Sequence, residues 1–182
     1  MRNRTIFHII LCLFIFTALT SCKKESLLLT IAKQEENIDK FISTKYKDNE
    51  IIRKNGSNRI VIEKEKGADI FLEKGDSLYL YYAGYTFTSS PSRLFSTNIK
   101  EIAEKSNFEL SDTTRYEVAK ILYNKDNFIP GLYNGLDSIS NKEHSIIIFS
   151  AKYGFYNEEV YNIPKLSALV YEVWVDNIIK KE

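Results

Sequence analysis

Hydrophobic and polar positions along the chain follow first a helical and then a strand-like rhythm. An apolar run, Ile6 to Phe16, stands behind Arg2 and Arg4 and ends in the small residues Ala18-Leu19-Thr20-Ser21 before Cys22. From Ser26 to about Lys47 the spacing predicts a helix. Leu28, Ile31, Ile38, Phe41 and Ile42 share one face, and Lys33, Glu35, Glu36, Asp39 and Lys40 surround it. Asn49 to Ser57 is polar, with a turn signal at Asn55-Gly56. From Asn58 the period moves towards two. Arg59 to Lys64 reads as a strand closed by a turn at Gly67, and Leu78 to Phe87 as a second one behind Lys74-Gly75-Asp76. The aromatic and β-branched content of these segments suits a half-buried pleated surface. Ser89 to Ser92 reads as a loop and Leu94-Phe95-Ser96-Thr97 as a short strand or turn. Between Asn98 and Asp126, the residues Ile102, Phe108, Tyr116, Val118, Ile121 and Leu122 predict one or two short helices.

The stretch Asn127 to Ile139 enters extended and then turns one short helix. Pro130 suits the first helical position, where a missing N–H costs nothing. Ile129, Leu132, Leu136 and Ile139 form a narrow apolar stripe, while Gly131 and Gly135 leave the back of the helix bare for close approach of other backbone. So short a helix must lie on something. After a turn at Asn141-Lys142 comes the strand Ser145 to Ser150, then a loop from Ala151 to Lys165, then a last strand from about Ser167 to Ile178. Alternation puts Leu169, Tyr171, Val173 and Val175 on one face of that strand and Val170, Glu172, Trp174 and Asp176 on the other. Trp174 is expected under the N-terminal helix. The pattern as a whole predicts an α+β fold, an antiparallel sheet wrapped on a short helix.

Composition adds a boundary and removes several chemistries. A basic head, a short apolar middle and a small-residue end make residues 1–21 a signal peptide, too short for a comfortable membrane span. Leu19-Thr20-Ser21-Cys22 looks like a bacterial lipobox, with Cys22 lipidated as the new N-terminus. Cys12 falls in the leader, so no disulfide can form within the mature chain. Residues 22–57 then make a lipidated N-terminus and helical extension, and 58–182 the main domain. The apolar stripe of the extension could serve that domain, a second copy as a homodimer contact, or a client; docking on the domain is the favoured use. With the leader gone, 23 basic residues face 24 acidic ones, a balance that gives no sign of a nucleic-acid partner. The mature chain keeps a single histidine, His144, read as surface filler. No metal spacing, paired-carboxylate pattern or glycine-rich phosphate loop is present, and no cofactor is expected.

Five segments, in order, resemble the FKBP-type peptidyl-prolyl cis-trans isomerases. Gly75 to Gly84 is similar to that family's GD-x-V-x-V-x-Y-x-G strand, and Leu94 to Thr97 sits where x-F-D-S would. Phe128 to Leu136 resembles V-I-P-G-W-x-x-G-L, and Ala151 to Gly154 sits where L-A-Y-G would. Ile163-Pro164 through Val173 resembles I-P-x-x-S-x-L-V-F-x-V. The resemblance covers about Ile60 to Ile178. It implies a five- or six-stranded half-barrel with an aromatic-lined pocket above the short helix. The implied catalytic residues are Tyr82, Phe95 and Tyr153, the last donating to a substrate carbonyl. The implied substrate-binding residues are Phe128, Ile129 through its N–H, Leu132, Ile163 and Tyr171. Ser96 stands where the family has aspartate and Leu132 where it has tryptophan, and the stretch from Thr97 to Phe128 is longer by roughly a dozen residues, with Phe108 the candidate for a further pocket aromatic. The expected function is isomerisation of proline-containing clients in the bacterial envelope, on an outer membrane facing the periplasm. A chaperone or binding module of the same fold with little activity is the alternative, and a small-ligand-binding lipoprotein a third.

Overall fold

In the computed structural model, residues 25–108 and 116–182 are described; the expected signal peptide and Cys22 lie outside them. The helical period of the extension becomes α1 (25–45). The period-two segments become strands β1 (Glu50–Lys54), β2 (Ser57–Glu63), β3 (Ser77–Phe87) and β4 (Pro91–Thr97). They are followed by α2 (Lys100–Lys105), β5 (Ala119–Leu122), α3 (Pro130–Leu136), β6 (His144–Phe149) and β7 (Ala168–Ile179). One antiparallel sheet runs in the order β1-β2-β6-β7-β3-β4, and β5 also pairs with β3. The α+β class holds, with seven strands among the described residues rather than five or six.

The two extra strands come from segments whose own patterns are weak. Asn55 and Gly56 both have positive φ, 45° and 81°, so they form the two-residue turn that pairs Lys54 with Ser57 and makes β1 a hairpin partner of β2. β5 lies where helices were predicted; among the described residues of that stretch α2 is the one α-helix. Ala119–Leu122 is extended because it pairs with Ser77–Leu80 of β3.

β3 is the longest contact line of the sheet. One edge pairs with β7 throughout, while the other is shared between β5 and, from Ala83 onward, β4. The side chain of Asn98, which is buried, fills the break. Its amide accepts from Tyr82 N–H at 2.7 Å and donates to the carbonyls of Leu80 (3.1 Å) and Glu117 (2.9 Å). Backbone groups that the gap would leave unpaired are thereby satisfied.

Each face of the sheet has its own core. On the inner face Leu78, Leu80, Ile147, Phe149, Val173 and Val175 enclose Leu136 and Ile139 of the α3 segment. α3 lies so close that a Cβ on Gly131 would come within 2.3 Å of the Phe149 ring, and one on Gly135 within 2.2 Å of Ile147 Cγ2. The glycines therefore admit side chains of β6, not neighbouring backbone. On the outer face α1 lays Ile38, Phe41 and Ile42 on Ile60, Ile146, Ile148, Val170 and Phe87, with Phe41 edge-on to Phe87 at 5.3 Å. The stripe is thus spent on the chain's own sheet, as favoured, although Leu28 and Leu29 at its start remain exposed.

Trp174 is not part of the α1 cluster. It stacks on His144, its partner across the sheet, with ring centres 4.7 Å apart. His144 in turn meets the Glu172 carboxylate at 2.9 Å. α1 crosses the other end of this face, over Ile146 and Ile148, which is why the expected cover is absent.

Candidate active site

The inner face does not fill completely. Between β3, β5, α3 and β7 lies a hollow of about 300 Å³. β3 contributes Leu80 and Tyr82, β4 Ser96, and β5 Ala119 and Ile121. Asn127, Phe128, Ile129 and Leu132 come from the approach to α3 and its first turn, and Tyr171 and Val173 from β7. No carboxylate, amine or imidazole is among these side chains. Among the described residues no group of three or more His, Cys, Asp or Glu could hold a metal ion.

Local structure explains why these side chains converge. Tyr82 and Leu80 share the inner face of β3 by strand alternation, as do Tyr171 and Val173 on β7. Ile129 is extended, with φ −64° and ψ 150°, because Pro130 follows it, and that conformation ends the strand-like approach and starts the helix. Beside the hollow Tyr123 is buried, donates to the Tyr133 carbonyl at 2.9 Å and stacks on the Tyr133 ring at 4.7 Å. Burial raises its phenol far above the ordinary value.

Of the residues singled out from sequence, Tyr82, Phe128, Ile129, Leu132 and Tyr171 line this hollow together. Phe95 stands behind Tyr171, edge to face at 5.5 Å. Ile163 is buried in the same apolar cluster without reaching the lining. Tyr153 is elsewhere. It ends a single 3-10 turn, Ala151–Tyr153, and its ring lies where a Cβ on Gly56 would come within 2.0 Å. There it borders a separate polar cleft with Glu35, Arg53 and Asn58. The Ser96 hydroxyl, in the position of the expected carboxylate, shares a hydrogen bond with the Tyr82 hydroxyl at 3.0 Å. Phe108 is not among the lining residues.

A wider cleft of about 540 Å³ runs beside α1, past Lys33, Gln34, Thr88 and Arg93. Most of its lining residues are polar or charged in type, Lys33, Gln34, Asn37 and Arg93 among them, and half of them are exposed.

Sequence reasoning missed what anchors the site from below. Arg59, on the inner face of β2, is buried and donates to the Gly135, Asp137 and Ser138 carbonyls at 3.0, 2.8 and 3.3 Å. It thus caps the end of α3, where carbonyls lack helical partners. Its Nε lies 3.3 Å from Glu143 Oε1 without the alignment of a hydrogen bond. Glu143, also buried, accepts from Ser140 N–H and from the hydroxyls of Ser140 and Ser145. Burial pulls the guanidinium below its ordinary pKa against the raising effect of Glu143. The available signal was that Arg59 alternates onto the face of Val61.

A second unforeseen feature holds the loop that follows β6. The side chain of Gln34 accepts from Ala151 N–H at 2.9 Å and donates to the Leu166 carbonyl at 2.6 Å. One α1 residue thereby fastens both ends of the 151–166 loop, and Ser150 bonds to Glu35 beside it at 3.2 Å.

Comparison with known proteins agrees with this architecture. No individually curated protein matches the sequence. Among solved structures, FkpA from Escherichia coli superposes with a TM-score of 0.57 at 18% identity, covering 94% of this chain and 71% of that one. The three FKBP domains of wheat FKBP73 give 0.54 at 15% identity over 73% of this chain. The match spans half of the wheat chain's length. The N-terminal domain of FKBP42 from Arabidopsis thaliana gives 0.53 at 16%, covering 73% of this chain and 94% of that one. These likenesses are of fold. The sequence pattern of the FKBP-type peptidyl-prolyl cis-trans isomerases matches residues 69–176, from within the β2–β3 connection into β7, and the chain belongs to that family.

Proposed function

We propose that the chain isomerises X–Pro bonds in exported polypeptides while held to a membrane by a lipid on Cys22. The observation that carries the catalytic part is the largely apolar, aromatic-walled hollow, whose described lining side chains include no carboxylate, amine or imidazole, in a chain of this family. Rotation about X–Pro passes through a twisted amide that has lost its resonance, against a barrier of about 18–20 kcal/mol. The twisted form carries less charge separation than the planar one, so removal from water penalises it less. Walls that fit it lower the barrier by differential binding, with no proton transfer needed. In this reading Tyr82, Phe128, Leu132 and Tyr171 enclose the prolyl ring. Phe95 and Ile163 keep those walls upright. The N–H of Ile129, to which no described residue offers an acceptor, holds the bound chain.

The targeting part rests on the leader and Cys22. No helix among the described residues is long and apolar enough to cross a membrane. An envelope location on an outer membrane facing the periplasm, with newly exported chains as clients, fits that pattern.

A second reading, a binding module with little activity, is favoured by the position of Tyr153 away from the hollow and by Ser96 in place of a carboxylate. Refolding of a proline-limited substrate protein separates the two. Uncatalysed phases last tens of seconds, so acceleration is easily read. The isomerase reading expects acceleration, with a larger loss for Leu132→Ala than for Tyr153→Phe. Suppressed aggregation without acceleration would replace it with the binding module. Incorporation of labelled palmitate that Cys22→Ser abolishes is the expected result for the anchor; incorporation indifferent to that change would remove it.

A further inference from the structure

One polar group on the walls of the hollow is engaged by no other described residue. Tyr171 is 8% exposed, with its ring held by the edge of Phe95 at 5.5 Å and by Phe149 at 6.1 Å. No described residue is within hydrogen-bonding reach of its hydroxyl. The oxygen is also not among the atoms sealed from all contact, so the exposure that Tyr171 keeps includes the hydroxyl, and the space it lines is the hollow. The other two hydroxyls on these walls, Tyr82 and Ser96, answer each other.

The state of this group is fixed by its surroundings. Burial first, and the neighbouring Tyr82 second, push the phenol well above its ordinary pKa. It therefore stays protonated across the physiological range and can offer a hydrogen. A donor in an apolar cavity is costly to leave unmet once water is expelled. An occupant that brings an acceptor to it is favoured over an equally shaped occupant that brings only hydrocarbon. Prolyl peptides are complementary in this respect. The ring is hydrocarbon, its tertiary amide nitrogen carries no hydrogen, and the nearest polar atoms are the carbonyl oxygens on either side of the ring.

We propose that Tyr171 is a specificity-determining residue whose hydroxyl donates to a carbonyl oxygen flanking the bound prolyl ring, so that the hollow selects acyl-proline rather than any apolar group of that size. The proposal rests on the prolyl-peptide reading of the hollow. It assigns to Tyr171 a role beyond that of an apolar wall.

The test uses the full-length chain in detergent micelles and three versions of the peptide Ala-Leu-Pro-Phe. One is unmodified, one carries a thioamide at the Leu carbonyl and one a thioamide at the Pro carbonyl, since sulfur accepts hydrogen bonds poorly. Dissociation constants are measured by titration against the wild type and Tyr171→Phe. The wild type should bind one of the two thioamides about tenfold more weakly than the unmodified peptide, the size of one hydrogen bond. Which thioamide suffers tells which carbonyl is read. Tyr171→Phe should lose that tenfold penalty, its melting temperature unchanged. Equal discrimination by the wild type and Tyr171→Phe overturns the proposal, as does a wild type that does not discriminate or binds none of the peptides. Accelerated refolding with undiminished discrimination in Tyr171→Phe leaves the isomerase reading standing and removes this one. Discrimination lost in Tyr171→Phe without any acceleration does the reverse.

Discussion

Arg59 shows what a single buried charge can do for a helix of seven residues. α3 has no stability of its own, and three of the carbonyls at and beyond its end are held by this guanidinium. Arg59 and Glu143 are each 3% exposed, so removing one strands the other in a medium that cannot solvate it. Arg59→Met is therefore expected to cost about 3–5 kcal/mol in urea unfolding. Arg59→Met with Glu143→Met should cost less than the single change, because no orphan charge remains. An unchanged midpoint for Arg59→Met would show that the cap is dispensable. Alternation with Val61 could have put Arg59 on the inward face, but a repeat of two says only where a side chain points. Its partner Glu143 lies beyond three intervening strands in sequence, where no local pattern reaches.

Among the elements, the legible ones were those that bury a stripe of their own. α1, β3, β6, β7 and the turn into α3 all carry runs whose period matches their structure. β1 and β5 do not, for both sit at edges of the pairing and are only half-covered. Their extended form comes from hydrogen bonds to β2 and β3, which the sequence cannot display locally. The reading of Tyr153 rested on resemblance alone, because a 3-10 turn of three residues has no period from which to read a direction. The same loop is the place to test α1. Its two bonds from Gln34 are expected to contribute about 1–2 kcal/mol. Gln34→Ala should then speed amide exchange in 151–166 by roughly 5- to 30-fold, read by mass spectrometry. Exchange that quickens equally in β6 and β7 would mean global loosening, and the fastening role would fall.

At the scale of the molecule, the start of β3 is tied to the end of β7 by Asp76. This fully buried carboxylate accepts from Glu73 N–H at 2.8 Å, Lys181 N–H at 3.0 Å and the Lys180 ammonium at 2.8 Å. Burial alone would raise its pKa, but these donors, Lys180 first, together hold it below the ordinary carboxylate range. A carboxylate depressed by folding adds stability above its unfolded pKa near 4, and that contribution fades as pH falls through the lower folded value. Asp76→Asn should thus unfold at lower urea than the wild type at pH 7, with the gap narrowing by pH 3. A gap of constant size would assign the loss to packing and not to charge.

The break in the edge of β3 has a consequence for how this domain can change. Where β4 leaves and β5 arrives, Asn98 bonds directly to the Glu117 carbonyl, so the departing and returning chain meet at one amide. Whatever is threaded between them need not disturb the register of either strand. Added length costs only the slow logarithmic growth of loop closure. Because Ser96 and Ala119 border the hollow on the two sides of that junction, a graft made there would emerge at the rim of the cavity, where new client contacts could be built without redesigning the sheet.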